Sequence, residues 1–95
     1  MPWSVRLQDE RGKPVSPQDA VIEFATIPEG AAFRLLGYVD PYGDTYFNHA
    51  QMKDFLADWD KLRPTDEQQA QWELVRDMAI RCRDHNHLYV RFMGD

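Results

Sequence analysis

Apolar and polar residues alternate at the start of the chain, and this pattern predicts a half-buried β-strand. Trp3, Val5 and Leu7 are separated by single polar residues, which is the period of two typical of a strand with one face on a core. Strand-forming residues return over 88–93 and predict a last strand there. The apolar run at 33–39 predicts another strand, central in the sheet.

Residues 16–27 carry two conflicting signals. The stretch 16–19 reads Ser-Pro-Gln-Asp, which resembles a helix start with a serine cap and proline in the first position. Residues 21–27 are instead rich in strand formers. We favour a short turn followed by extended chain, and a helix remains the alternative. A further turn is predicted at 28–30, which reads Pro-Glu-Gly.

Two apolar stripes at helical spacing predict two helices, at about 49–62 and 66–86. Asn48 followed by Gln51 suits a capping box at the first start, and Thr65 followed by Gln68 suggests the same at the second. The stripes are Met52, Phe55, Leu56, Trp59 and Leu62, and then Trp72, Val75, Met78, Ala79 and Cys82. A few residues separate the helices, so we expect an antiparallel hairpin.

These elements together predict an α+β fold over a single domain, residues 1–95. We expect a mostly antiparallel sheet of about four to five strands, with the two-helix hairpin on one face. The last strand closes the chain at its C-terminal end. The hydrophobic fraction of 43% is too high for a disordered chain.

The charge of the chain narrows the classes of partner. The net charge is −5, and an acidic chain is a poor binder of nucleic acid, which usually needs a basic face. No apolar run reaches the length of a membrane helix, and the N-terminus lacks a signal-peptide pattern. We therefore expect a cytoplasmic protein with no membrane and no nucleic-acid partner.

Residues 40–48 read Asp-Pro-Tyr-Gly-Asp-Thr-Tyr-Phe-Asn. The first four residues suit a type I turn, and the strand-like residues on both sides predict a hairpin around it. The turn leaves Tyr42 and Asp44 as the side chains free to touch a partner. A calcium loop is not expected, because its alternating acids with a closing glutamate are absent.

Five acids against one base mark residues 40–60 as an acidic stretch. Such a surface favours docking to a basic protein. The partner-binding residues predicted on this basis are Asp40, Tyr42, Asp44, Asp54 and Asp58. We expect neither a cofactor nor catalytic residues, because phosphate-loop, serine-elbow and zinc-protease motifs are missing.

Two alternatives remain open. The first is a small enzyme or metal-binding protein, and its residues would be Asp44, His49, Cys82, His85 and His87. The spacing around Cys82 lacks the repeated pairs of a structural zinc site. The second alternative is a structural or regulatory subunit that self-associates through an exposed sheet edge, such as the last strand.

The stretch at 40–48 followed by Gln51-Met52, together with the tail at 87–95, resembles a group of small bacterial proteins of unassigned function. That resemblance transfers no catalytic residue. In size, acidity and architecture the chain also resembles immunity proteins, which neutralise bacterial toxins. This likeness implies a non-enzymatic inhibitor that binds a basic toxin domain through its acidic surface.

Overall fold

The computed structural model describes residues 2–28 and 33–94, and in these residues four antiparallel strands form one sheet. In chain order they are β1 (Pro2–Asp9), β2 (Ala20–Glu23), β3 (Asp44–Asn48) and β4 (Leu88–Met93). The order across the sheet is β2-β1-β4-β3. The α+β prediction is confirmed, including the strand at the C-terminal end. The last strand is not an edge strand, however, because it lies between β1 and β3.

The two faces of the sheet differ as the alternation in β1 predicts. Val5 lies opposite Phe92, and Leu7 lies opposite Val90. These four residues are fully buried in the core. On the other face, which we call the open face, the arginines at 6 and 91 lie opposite each other and the second lies opposite Tyr46. The helices therefore cover one face and leave the other polar.

Two helices, α1 (Met52–Trp59) and α2 (Gln69–Asp84), carry the predicted apolar stripes. Trp59 and Trp72 link them, because each indole Nε1 donates a hydrogen bond to the other's backbone carbonyl, at 3.0 and 3.2 Å. Both helices are shorter than predicted. None of the helices in the described part of the chain has the length and apolar character needed to cross a membrane.

One predicted helix start is confirmed and the other is wrong. Asn48 and Gln51 form a capping box, with bonds of 2.9 and 3.1 Å, and a 3-10 turn (His49–Gln51) then leads into α1. At the second start, α2 begins after Gln68, whose side chain caps no helix. Its Oε1 instead accepts hydrogen bonds from the Glu23 backbone, at 2.9 Å, and from Thr26, at 3.1 Å.

The strand predicted over 33–39 is wrong. This segment contains a 3-10 turn (Leu36–Tyr38) and pairs with no strand of the sheet. Leu36 and Val39 are buried, so the apolar residues do pack on the core, but as a loop. An apolar run of this length predicts that its side chains are buried, but it does not predict the backbone conformation. Since no strand precedes residues 40–43, the predicted hairpin around that turn is also absent.

Residues 16–27 follow the favoured interpretation up to Glu23, but the extended chain predicted beyond it is replaced by a 3-10 turn. A bend over 16–18 leads into the short strand β2, and a 3-10 turn (Phe24–Thr26) follows it. Asp19 lies before the strand and forms a bidentate ion pair with Arg6, with both bonds at 2.9 Å. These hydrogen bonds raise the pKa of Arg6. Part of the turn predicted at 28–30 lies outside the described residues.

Candidate interaction surface

The turn at residues 40–43 is anchored on several sides. The Tyr42 amide donates to Asp40 Oδ1 at 2.8 Å, and the Asp40 amide donates to Thr45 Oγ1 at 3.0 Å. The indole of Trp3 donates to the Asp40 carbonyl at 3.0 Å, and the Gly94 amide donates to the Gly43 carbonyl at 2.8 Å. The turn is therefore fixed both to β1 and to the end of β4, which limits its conformational freedom.

Gly94 lies directly against this turn. A Cβ atom there would lie 2.6–2.7 Å from the carbonyl oxygens of Asp40, Pro41 and Gly43. These are backbone atoms of one rigid segment, so a side chain at 94 would push the whole turn away. The glycine therefore serves the close approach of two backbones.

We expect Gly94→Ala to lower the free energy of unfolding by about 1–3 kcal/mol, because the turn must shift to make room. Gly43→Ala is the matched control. Its Cβ would meet only the Asp40 side chain, at 3.0 Å, which can shift more easily than a backbone segment, and neither glycine has a positive φ. Urea denaturation of both variants measures the difference, and equal stabilities would contradict the close approach.

Exposed tyrosines surround this anchored turn. Tyr42 is 82% exposed, Tyr38 is 78% exposed and Tyr46 is 50% exposed. Tyr42 also borders an apolar cleft of about 530 Å³ that is lined by Trp3, Phe24 and other core residues. Exposed aromatic rings beside an apolar cleft are typical of surfaces that bind another molecule. We call residues 36–43 the tyrosine loop.

The acids of residues 40–60 do not form a free acidic face. Asp44 forms an ion pair with Arg91, Asp54 with Arg34, and Asp60 with Arg76. The last two pairs have bonds of 2.9 Å. Exposed ion pairs of this kind add little stability, but they cancel much of the local negative charge. The clustering of acids in the sequence therefore overstates the negative charge of the surface.

Asp58 is the predicted contact residue whose surroundings differ most from the prediction. It is completely buried, whereas the acidic docking surface predicted from the sequence requires it to be exposed. Its carboxylate accepts hydrogen bonds from the backbone amides of residues 34, 35 and 36, at 3.0, 2.6 and 3.1 Å. The last two amides lie at the start of the 3-10 turn, where helix geometry leaves donors unpaired. Asp58 thus fixes one end of the tyrosine loop.

One signal in the sequence could have identified this role. Asp58 follows Phe55 by three positions and precedes Leu62 by four, which places it within the apolar stripe of α1. A charged residue at such a position is buried, and a buried carboxylate needs hydrogen-bond donors. Tyr38 was not predicted as a contact residue, because it belongs to the run at 33–39 that was interpreted as a strand.

The residues of the enzyme or metal alternative do not form one site. Cys82 is buried inside, and its thiol donates to the Leu88 carbonyl at 3.2 Å. Asp44 lies on the open face with Arg91. The three histidines border a surface cleft of about 570 Å³. Among residues 2–28 and 33–94, no group of three or more His, Cys, Asp or Glu side chains is placed to hold a metal ion.

Burial raises the pKa of the Cys82 thiol from its ordinary value of 9.0 to about 11. Because the unfolded thiol ionises first, Cys82 contributes its full stabilisation below about pH 9, and loses it as the pH rises towards 11. We expect a thiol reagent to react slowly with the native protein at neutral pH and rapidly in urea. Fast reaction of the native protein would contradict this burial, and Cys82→Ala serves as the blank.

Comparison of the chain with protein-family models, with curated proteins and with solved structures finds no match. A functional proposal for this chain therefore rests on the geometry of its own surface.

Proposed function

We propose that this protein is a non-enzymatic interaction domain that binds a protein partner through the tyrosine loop. The supporting observation is that Tyr38 and Tyr42, 78% and 82% exposed, lie on a loop fixed at both ends. Asp58 fixes the first end, and the bonds around residues 40–43 fix the second. Rigid aromatic side chains lose little conformational entropy on binding, so they contribute strongly to affinity.

The cleft beside Tyr42 supports a partner with an apolar anchor. Its lining includes Trp3, Leu36 and Val39, and such a pocket suits a buried side chain at the centre of an interface. Asp40 is exposed and lies in the sequence between two residues that line the cleft, Val39 and Pro41, and its carboxylate would meet a basic group on the partner. An apolar side chain flanked by Lys or Arg is therefore the chemistry that this surface favours.

The more specific proposal is an immunity-type inhibitor that covers the active site of a basic toxin domain. The net charge of −5 supports this proposal, since opposite charge speeds association. The ion pairs at Asp44 and Asp54 shift the expected source of affinity from the acids to the tyrosines. A toxin encoded beside this protein would be the natural partner to test.

The test measures affinity for a candidate toxin domain by calorimetry, together with inhibition of the toxin. We expect Tyr42→Ala to weaken binding by about 30-fold, as loss of an interface hot spot does. Glu67→Ala, an exposed change in the turn before α2, is the control and should bind like the wild type. Unchanged affinity after the combined Tyr38→Ala and Tyr42→Ala changes would refute this binding surface.

A further inference from the structure

The two edge strands of the sheet, β2 and β3, differ in the hydrogen bonds of their outward backbone groups. At the β2 edge, the amides of Val21 and Glu23 donate to the side-chain oxygens of Gln71 and Gln68, at 2.7 and 2.9 Å. Gln68 also donates back to the Val21 carbonyl at 3.5 Å. These two glutamines occupy the places where another strand would bind. Closing an edge in this way prevents pairing with a further chain.

Within residues 2–28 and 33–94, a glutamine covers the β3 edge only at its last residue, Asn48. The Gly94 amide donates to the Gly43 carbonyl, which makes these two residues a hydrogen-bonded pair between β4 and β3. Hydrogen-bonded pairs alternate in an antiparallel ladder. The backbone N–H and C=O groups of residues 45 and 47 therefore point to β4, and those of residues 44, 46 and 48 point outward from the sheet edge. In the described part of the chain, the Asn48 amide is the one amide of this outer row with a hydrogen-bond partner, Gln51 Oε1. The groups of Asp44 and Tyr46 remain available.

We propose that two copies of this chain pair antiparallel along β3, with Tyr46 opposite Tyr46 of the second copy. This register sets outward-facing residues against outward-facing residues, as hydrogen bonding requires. The two Tyr46 residues exchange both of their backbone bonds, and each Asp44 amide donates to the Asn48 carbonyl of the other copy. The sheet then becomes continuous across a twofold axis.

The side chains in this register are complementary. Asp44 stands opposite Asn48, whose Oδ1 already accepts from the Gln51 amide, so its Nδ2 remains to donate to the carboxylate. No like charges meet directly, which would destabilise the pair. At the centre, the rings of Tyr46 pack together, each lying 5.3 Å from the guanidinium of Arg91 in its own copy. That contact holds the ring in place before association.

The closed β2 edge also limits the assembly. Among the described residues each copy offers one free edge, so pairing stops at two copies and does not continue into a fibre. A contact along one short strand buries little area, and we expect a weak, concentration-dependent dimer. This inference does not depend on the tyrosine loop, because Tyr38 and Tyr42 lie outside β3.

The test follows molecular mass by light scattering from about 10 µM to about 1 mM, a range suited to micromolar association. We expect the mass of the wild type to approach twice that of the monomer. Tyr46→Pro removes an outward amide without removing a bond to β4, and Tyr46→Lys sets two like charges together at the axis. Both variants should stay monomeric.

Val21→Lys is the matched control, because Val21 is also exposed and lies on the opposite edge strand. It should dimerise like the wild type. A wild type that remains monomeric at the highest concentration overturns the proposal, as does a dimer that survives Tyr46→Lys. Loss of the dimer in Val21→Lys would also overturn it, by placing the contact at the other edge. Circular dichroism checks that each variant is folded. If Tyr46→Pro unfolds, the result for Tyr46→Lys decides the test.

Discussion

Phe92→Ala is expected to lower the free energy of unfolding by about 4 kcal/mol, the typical cost of removing a buried phenylalanine. Its ring lies at the centre of the core. Ring centroids of Trp3, Phe47, Phe55 and Trp59 lie 5.9–6.1 Å from it. Aromatic pairs at these distances add to simple burial. Phe92 thus connects three strands to the first helix.

Thermal denaturation measures this loss, and about 4 kcal/mol corresponds to a fall of roughly 20 °C in Tm for a domain of this size. Phe92→Leu is the control, because it keeps most of the volume and should cost only about 1–1.5 kcal/mol. If the alanine variant were as stable as the leucine variant, the buried volume at position 92 would contribute nothing to stability, which would contradict this prediction.

The sequence predicted the elements that depend on local periodicity. The alternation around Val5 and the stripe from Phe55 to Leu62 each place one face of an element on the core. The capping box at Asn48 and Gln51 was also predictable, because its two partners lie three residues apart. Such signals are contained within a few neighbouring residues.

The errors arose where a distant residue decides the local backbone. The run at 33–39 contains enough apolar residues for a strand, but its amides bond to Asp58, which lies 22–24 residues further on. Gln68 likewise has the spacing of a helix start, while its side chain bonds to Glu23, 45 residues earlier. No local pattern contains these partners.

The candidate surface was predictable only in part. The turn residues at 40–43 and the exposure of Tyr42 followed from turn chemistry. The pairing of the acids with arginines was not predictable, because the arginines that neutralise Asp44 and Asp54 lie 47 and 20 residues away. A count of charges along the chain cannot show which of them pair in the fold.

Asp58→Ala is expected to lower the free energy of unfolding by about 4 kcal/mol, because backbone donors lose a charged acceptor inside the protein. The amides of residues 34–36 all bond to this carboxylate, and nothing on alanine replaces it. Urea denaturation measures the loss. Asp54→Ala is the matched control one helical turn earlier. It removes only an exposed ion pair with Arg34, whose amide also bonds to Asp58, and should cost less than about 1 kcal/mol.

The same substitution links stability to the proposed function. Because Asp58 anchors the start of the tyrosine loop, its loss should loosen Tyr38 more than it disturbs Tyr42, whose turn is fixed separately by Trp3 and Gly94. Hydrogen exchange of the native Asp58→Ala protein should therefore increase over 34–39 before it increases over 40–43. Equal protection of both segments, or a stability close to that of Asp54→Ala, would show that the buried carboxylate does not hold the loop.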